Sequence, residues 1–408
     1  MAARSLLSVS GFLKHPLYDL SRSRCQYFFV RRAYFTTEEQ PRTKKRWQSN
    51  LGLFVGVIGA GALVGSGYAW YSTGLKAAEL EVAQMNEAVY IDHTILPKLP
   101  DIPISRHVKN KDETNLKLTL FQYPTCPFCC KVRAFLDYYG ISYDVVEVDP
   151  VLRQQTKWTT YKKVPILLVK TDEGYQQLND STMIISALTS FLHDKKMQLS
   201  EILDFYPVIE YKNQKGEKKT DVLNRYFLMF QESVPKGKMY ESVKTERQWR
   251  EWADDVLVHT LSPNVYRTPS ESLQAFTWFS EVGEWDRLFP AWERAVIVYV
   301  GAAAMWIVGK MLRKRHHLKD DVRESLYDEC RKWMKAVKTN GTTFLGGNSP
   351  NLADLAVYGV LSSIEGCNAF KDLLKNTSIG NWYYPMKESV SKHNGKPDSI
   401  VADLHNMK

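Results

Sequence analysis

Cysteine is scarce in this chain of 408 residues, which contains six of them. The disulfide framework of a small secreted domain needs a denser set, so that class of protein is disfavoured. A zinc site is also disfavoured, because the Cys-x-x-Cys pair Cys126 and Cys129 would need a second Cys or His pair at ligand spacing. Neither the remaining cysteines nor the neighbouring residues supply that second pair. We therefore expect no metal site.

Acidic residues are rare in the first fifty positions, where ten Lys and Arg residues face only Asp19, Glu38 and Glu39. Much of the formal net charge of +9 is concentrated there. An acid-poor start rich in Arg and Ser fits an organelle-targeting peptide better than a nucleic-acid-binding arm. Residues 1–48 are thus predicted to be a basic targeting segment, which favours mitochondria, and no nucleic-acid partner is expected.

Charged residues are absent between Ser49 and Leu75. A helix of about 20 apolar residues crosses a hydrocarbon core of roughly 30 Å, so 51–72 is predicted to be a transmembrane helix. The basic run 42–46 would hold one end on the positive side of the membrane. Residues 76–113 then combine mixed charge, three nearby prolines and no sustained period, which is typical of a tether. Proteolysis in this tether could release a soluble form.

The most informative pattern that is present is Tyr123-Pro-Thr-Cys-Pro-Phe-Cys-Cys130. It places Cys126 between an apolar and an amphipathic run, with Pro127 suited to the first position of a helix. A cysteine at the first turn faces unpaired backbone N–H groups and the positive end of the helix dipole. These lower the pKa of its thiol, and the thiolate is the nucleophile. The pattern predicts a thiol redox or thiol-transfer site.

Hydrophobic periodicity predicts an α/β unit around this motif. The predicted strands are 116–123, 142–148, 164–170 and 176–178, and the predicted helices are 127–139 and 180–192. Gly140 suits the position just past the end of the first helix. Strand, helix and strand in succession form a βαβ unit, which implies that the two strands are parallel.

Two further segments, Lys163-Val-Pro-Ile166 and Asn179-Asp-Ser-Thr182, follow the motif. Together with it they resemble the thioredoxin-like domain of glutaredoxins and glutathione transferases. The resemblance implies such a domain over 114–194, with glutathione as its cofactor.

The resemblance also implies a glutathione site. In that family the proline that opens the third strand is cis, so Pro165 would turn the backbone of Val164 toward the glutathione cysteinyl unit. Asp180 and Ser181 would stand at a helix N-terminus whose N–H groups receive the γ-glutamyl carboxylate. The alternative is that these two residues only cap the helix.

The second half of the chain is predicted to be helical. Asn351 stands three residues before Asp354, which is a capping-box-like start to a helix over 351–361. This helix resembles the buried core helix of the all-helical transferase domain, which implies that domain over 281–400 and a connecting helical segment over 195–280. Core positions are expected at Trp333, Phe344, Tyr358 and Leu361.

A longer tract covers residues 285–318. Taken together with the cysteine motif, a predicted helix at 252–262 and the apolar N-terminal segment, it resembles the membrane-associated prostaglandin E synthases of type 2. The resemblance covers roughly residues 110–395. It implies an isomerase that converts the endoperoxide prostaglandin H2 into prostaglandin E2 without net redox change. Within the tract, the uncharged part 295–309 is shorter than the roughly 20 residues of a full span, and we interpret it as a buried or membrane-touching helix.

The same resemblance implies roles for the site residues. Cys126 would be the nucleophile, Tyr123 would hydrogen-bond the thiolate or polarise an oxygen, and Phe128 would shape the apolar side of the pocket. Cys129 would be a buried partner, able to resolve a disulfide but not required for isomerisation. Cys130 is taken as a small core residue.

The family is also associated with haem bound through the glutathione sulfur, a form expected to break prostaglandin H2 down. The basic run 313–315 with His316 and His317 could meet haem propionates or a lipid carboxylate, or it could be a solvated helix end. His259 is expected to be a satisfied core or surface histidine rather than an iron ligand. The family suggests a Golgi membrane, against the mitochondrial one suggested by the basic start, and is compatible with a homodimer.

Two other functions are compatible with the motif. A glutaredoxin-like thiol-disulfide oxidoreductase would need both Cys126 and Cys129, although small glutaredoxins lack a long helical second half. A membrane-anchored haem- or glutathione-binding protein would bind these ligands without turning over a substrate.

Overall fold

The computed structural model describes residues 88–212, 216–229 and 237–396. The predicted targeting segment, the predicted transmembrane helix and the first part of the predicted tether lie outside the described residues.

The strands of the described part form two sheets. Their bounds are β1 Val89–Ile91, β2 Ile95–Leu96, β3 Arg106–Val108, β4 Leu118–Gln122, β5 Tyr143–Glu147, β6 Ile166–Thr171, β7 Gly174–Asn179, β8 Val208–Lys212 and β9 Lys218–Val222.

The α-helices of the described part cover most of the chain's second half. Their bounds are α1 Pro127–Tyr138, α2 Ser181–His193, α3 Leu199–Asp204, α4 Lys238–Trp252, α5 Val258–Val265, α6 Pro269–Val282, α7 Trp285–Leu288, α8 Ala291–Arg315, α9 Val322–Thr339, α10 Leu352–Ser362, α11 Asn368–Asn376 and α12 Gly380–Ser391. A π-helical segment, Ala253–Leu257, joins α4 to α5.

The larger sheet has the strand order β2-β7-β6-β4-β5-β3. Strands β4 and β5 are parallel, and α1 is the crossover between them, so the predicted βαβ unit is confirmed. Strand β6 lies antiparallel on the other side of β4 and pairs in turn with β7. Every position of β4 is buried, including the polar Thr119 and Gln122, because the strand has a neighbouring strand on each side. An α/β thioredoxin-like unit is therefore present, followed by helices.

The ends of α1 lie where the sequence predicts them. Cys126 is the N-cap residue and Pro127 occupies the first helical position, where a missing N–H costs nothing. Gly140 follows the helix with a φ of 62°, a left-handed conformation that glycine adopts without steric cost. Pro127 and Gly140 therefore fix the two ends of α1, and the Cys126 side chain lies at its start.

The prediction of a tether over 76–113 is wrong for residues 88–113. Strand β2 pairs with β7, and β3 pairs with β5, so both belong to the larger sheet. Strand β1 pairs with β8, which pairs with β9, and this smaller three-stranded sheet was not predicted either. Strands of two or three residues with partly exposed side chains carry no hydrophobic period that a sequence pattern could reveal.

A continuous succession of helices begins at α4, inside the predicted connecting helical segment 195–280, and runs on through 281–391. Its central helix α10 starts as predicted, because Asn351 accepts from the Ala353 and Asp354 N–H groups while Asp354 accepts from the Asn351 N–H. Asp354 is fully buried and also accepts from the indole N–H of Trp382 at 2.8 Å. The four predicted core residues are all buried, which confirms that expectation.

Helix α10 packs directly on α1, and the close approach depends on a glycine. A Cβ atom at Gly359 would lie 2.5 Å from the Cα of Lys131 and 3.0 Å from the carbonyl carbon of Cys130. Both are backbone atoms of α1. The cysteine-bearing helix is therefore held between its own sheet and the helical part.

Candidate active site

Cys126 stands at the junction of the β4–α1 loop and α1. Its N–H donates to the Tyr123 carbonyl at 3.2 Å, and its own carbonyl accepts from the Cys130 N–H at 2.8 Å, the first bond of the helix. Its side chain is half-buried, whereas Cys129 and Cys130 are buried. Among these three cysteines, Cys126 is the one that a ligand could reach.

The two cysteines of the motif have opposite electrostatic environments. A hydrogen bond from the Cys129 thiol lowers the pKa of Cys126, helped by the N–H groups of Cys129 and Phe128 and by the charge of Arg133, although burial opposes the shift. Burial raises the pKa of Cys129 well above its usual range, and the neighbouring Cys126 sulfur adds to this. The arrangement therefore favours a thiolate at Cys126 that is supported by a neutral thiol at Cys129.

Tyr123 supplies a hydroxyl group to the same place. Burial raises the pKa of Tyr123, while the nearby charge of Arg153 opposes that shift. The hydroxyl group is buried and has no hydrogen-bond partner among the described residues. Buried polar groups are nearly always hydrogen-bonded, so a neutral hydroxyl left open beside a cysteine pair is suited to a ligand. Phe128, also half-buried, packs against the main core.

The predicted glutathione residues lie next to these side chains. The Val164–Pro165 peptide bond is cis, which confirms the prediction. Strand β6 begins at Ile166, which pairs with Phe121 near the end of β4, so the Val164 backbone and the cysteine loop are neighbours. Tyr123 and Val164 also pack in one apolar cluster.

Asp180 caps α2. Its Oδ1 accepts from the Thr182 N–H at 2.9 Å and the Met183 N–H at 3.0 Å, and its Oδ2 lies 3.3 Å from Nη1 of Arg225. Two of the N–H groups that the prediction offered to a γ-glutamyl carboxylate therefore already bind Asp180. Ser181, buried in the first turn, is the remaining candidate of the pair.

Arg133 is a site residue that the sequence analysis missed. Its Nη1 donates to Gln122 Oε1 at 2.9 Å, and its Nη2 donates to the Pro124 carbonyl at 2.6 Å and to the Cys130 sulfur at 3.1 Å. These bonds hold the loop that leads into Cys126. An arginine inside an amphipathic helix gives no signal of such a role, because arginine is common on exposed helix faces.

A buried ionic network lies one turn further along α1 and was also missed. Lys131, only 1% exposed, donates to the Thr182 hydroxyl at 2.8 Å and forms an ion pair with Asp254. Thr182 and Tyr226 donate hydroxyl bonds to the other Asp254 oxygen at 2.6 and 3.2 Å. Burial would raise the pKa of Asp254, but the Lys131 ammonium and these bonds hold it below its usual range. The π-helical segment that carries Asp254 thereby connects the helical part to both α1 and α2.

His259 and His316 form a stacked pair with ring centroids 4.2 Å apart and planes 14° apart. Burial, followed by the charges of His316 and Arg315, lowers the pKa of His259 to about 4, so its imidazole is neutral at physiological pH. Burial lowers the pKa of His316 as well.

Comparison with known proteins agrees with these features. The glutaredoxin family model matches residues 118–173, which include the cysteine motif and the cis-proline. Prostaglandin E synthase 2 of Danio rerio is 45% identical over 299 residues, covering 71% of this chain and 77% of that protein. Prostaglandin E synthase 2 of Mus musculus is 48% identical over 281 residues, covering 68% and 71%. This chain belongs to the prostaglandin E synthase 2 family.

Membership of the prostaglandin E synthase 2 family confirms the resemblance inferred from the sequence. Among solved structures, apo glutathione S-transferase III superposes with 15% identity and a TM-score of 0.35, covering 69% of this chain and 99% of that one. A superposition at this level carries no conclusion about the protein. The thioredoxin-like assignment depends instead on the sheet order, the cis-proline and the glutaredoxin match.

Proposed function

We propose that this chain is an isomerase that converts prostaglandin H2 into prostaglandin E2 at the Cys126 thiolate. Its relatives are named as synthases of prostaglandin E. The observation that carries the proposal is the asymmetry of the cysteine pair, in which the half-buried Cys126 has a lowered pKa and the buried Cys129 a raised one. An isomerase of this kind needs one reactive thiolate, and the asymmetry supplies it at the sulfur that a ligand can reach.

The proposed reaction balances without an external reductant. The Cys126 thiolate attacks the endoperoxide oxygen on C9, so an S–O bond forms, the O–O bond breaks, and an alkoxide is left on C11. Proton donation turns that alkoxide into the 11-hydroxyl group. Removal of the proton from C9 forms the 9-keto group, and the electrons of the S–O bond return to sulfur as the thiolate. The Tyr123 hydroxyl, buried and kept protonated by its raised pKa, suits the proton donation.

Glutathione is the proposed cofactor. The Val164 main chain, beside the cis-proline, would pair with the cysteinyl unit, and Ser181 in the first turn of α2 would meet the γ-glutamyl carboxylate. Asp180 would act mainly by capping α2, since its carboxylate is already bound to two N–H groups and lies beside Arg225. When bound, glutathione supplies a second thiol next to Cys126.

Haem binding is a further part of the proposal. The half-buried Arg315 and His316 at the C-terminal end of α8 would offer a cation and a neutral imidazole to haem propionates, while the buried His259 stacks behind His316. Haem held by the glutathione sulfur would supply iron chemistry that breaks the endoperoxide down. A Soret band that grows with haem only when glutathione is present would support this. A band of equal strength without glutathione would contradict it.

Membrane attachment through the predicted helix 51–72 also stays a proposal, supported by the uncharged run there. The family resemblance supports a Golgi membrane and the basic start supports a mitochondrial one. A homodimer is proposed by analogy with the family.

The deciding experiment is product analysis after adding prostaglandin H2 to the detergent-solubilised full chain with thiol present. Cys126→Ser should abolish prostaglandin E2 formation, whereas Cys129→Ser should retain it. Cys367→Ser is the matched control, because Cys367 is the N-cap residue of α11, a position that serine favours. If the wild-type chain formed no prostaglandin E2, the isomerase proposal would be wrong. A protein that binds haem or glutathione without turnover would then remain.

A glutaredoxin-like oxidoreductase is the second candidate, favoured by the glutaredoxin match and the hydrogen bond between the two thiols. Equal loss of activity in Cys126→Ser and Cys129→Ser, together with reduction of a mixed glutathione disulfide by the wild-type chain, would select this function over isomerisation.

A further inference from the structure

Helix α8 is apolar on both of its faces. Its inner face packs on α5 and α6 and buries Ile297, Gly301, Ala302, Met305, Gly309 and Leu312. Within the described residues, α8 is the one helix whose length and composition would suffice to cross a membrane, yet only a third of its most apolar window is buried. Since a helix that is apolar all round is normally buried all round, the uncovered side needs an explanation.

The outer face of α8 is a continuous apolar stripe. It is formed by Trp292, Tyr299, Val300, Trp306, Ile307 and Met311. Tyr299 is 66% exposed and Ile307 55% exposed. The spacing puts these side chains on one side of the helix, and the stripe runs about 29 Å at 1.5 Å per residue. Exposed apolar surface of this extent marks a site of interaction.

Two lysines complete this outer face at its C-terminal end. Lys310 and Lys314 are exposed and lie on the same side of the helix as Ile307, and the Lys310 ammonium is 4.0 Å from the centre of the Trp306 ring. The one acidic residue of α8, Glu293, is buried. The face thus combines apolar and aromatic side chains with positive charge and has no exposed acid of its own.

We propose that the outer face of α8 lies in the headgroup layer of an anionic lipid membrane. The apolar side chains would enter the boundary with the acyl chains, the aromatic rings would lie at the interface, and the lysines would reach phosphate and carboxylate groups. Helix α8 lies on the membrane rather than across it, because its inner face is packed against protein. This contact is separate from the predicted N-terminal helix and does not depend on the proposed activity.

A second copy of the chain fits this face less well. A symmetric dimer would place the face against itself, and the two lysines of each copy would then be buried with no acid of that face to pair with. Lipid headgroups supply the missing negative charge. The charge pattern therefore selects an anionic membrane as the partner.

The test uses the full chain reconstituted into phosphatidylcholine vesicles with or without phosphatidylserine. A solvatochromic amino acid replaces Ile307 in one variant and Lys335, an exposed residue of α9, in a matched control. With phosphatidylserine present, we expect the probe at 307 to be quenched by a quencher attached to lipid acyl chains. The probe at 335 should be quenched only by aqueous iodide.

Lys310→Gln combined with Lys314→Gln should reduce the lipid quenching at 307 to the level seen in phosphatidylcholine alone. Three outcomes would overturn the proposal. Iodide could reach 307 as easily as 335, which would show a solvated face. Shielding of 307 from both quenchers would indicate a second copy, and equal lipid quenching without phosphatidylserine would show that anionic lipid is not the partner.

Discussion

Replacing Lys131 by methionine would test the buried ionic network that connects α1 to the helical part. Methionine keeps most of the length of the side chain and removes only the ammonium group. The Asp254 carboxylate would then keep its two hydroxyl donors, Thr182 and Tyr226, and lose the cation that it pairs with. A buried carboxylate without its cation destabilises the folded state.

The magnitude follows from the burial of the pair, whose side chains are 2% and 11% exposed. Removing one partner of a buried ion pair costs about 3–5 kcal/mol, and the two remaining hydroxyl bonds place this case at the lower end. At about 2 °C per kcal/mol for a chain of this size, the Tm should fall by roughly 6 °C.

The cost should depend on pH. The folded-state pKa of Asp254 is held below its unfolded value, so its stabilising effect is present above the unfolded pKa of about 3.9 and is lost as the pH falls through the folded pKa. The difference in Tm between the wild type and Lys131→Met should therefore be largest near neutral pH and shrink from above pH 4 as the pH falls, because burial raises the pKa of the unpaired Asp254 carboxyl group in the variant.

The assay is thermal unfolding of the full chain in detergent, followed by circular dichroism at several pH values. Lys131→Met combined with Asp254→Leu should recover much of the lost stability, because an apolar pair leaves no uncompensated charge. Lys218→Met is the control, since its ion pair with Glu210 is exposed and its loss should leave the Tm unchanged. A Tm unaffected by Lys131→Met, or a deficit that grows toward low pH, would refute the reasoning.

Three further changes have expected outcomes. Cys129→Ala should raise the pKa of Cys126, seen as a shift to higher pH in its alkylation by iodoacetamide, because the thiol hydrogen bond is lost; an unchanged profile would contradict this. Gly359→Ala should destabilise by about 1–3 kcal/mol, since the new methyl group would meet the α1 backbone. Gly237→Ala is its control, with no atom within 4 Å, and equal Tm values for these two variants would count against the packing argument. Asp354→Ala should cost about 3 kcal/mol in thermal unfolding, because four N–H donors, two of them buried, lose their acceptor; a change below about 1 kcal/mol would show that water replaces the carboxylate.

The sequence was sufficient for those parts of the fold that depend on neighbours along the chain. Pro127 and Gly140 bound α1 through their own backbone preferences, and Asn351 starts α10 through bonds within its own first turn. The cis-proline was predicted as well, because the family motif around it is short and contiguous. These features need no knowledge of distant residues.

Features that join distant residues could not be predicted in this way. Lys131 and Asp254 are 123 positions apart, and a lysine on an amphipathic helix ordinarily points to solvent. Capping by Asp180 was one of two roles that the sequence left open, but its contact with Arg225, 45 positions later, had no signal in the pattern. The edge strands β1 to β3 are too short for periodicity, and their pairing depends on strands that come later in the chain.

The contact between α1 and α10 has a consequence for modularity. The stretch that matches glutaredoxin ends at residue 173, but the back of its cysteine helix is covered by Gly359 and its neighbours. Excising that stretch would expose Cys130 and Lys131, which are now 3% and 1% exposed, and would leave the lysine without its counter-ion. The glutaredoxin-like part is therefore not an autonomous unit. A minimal fragment that keeps the packing around the Cys126 helix must include the helices from α4 to α10.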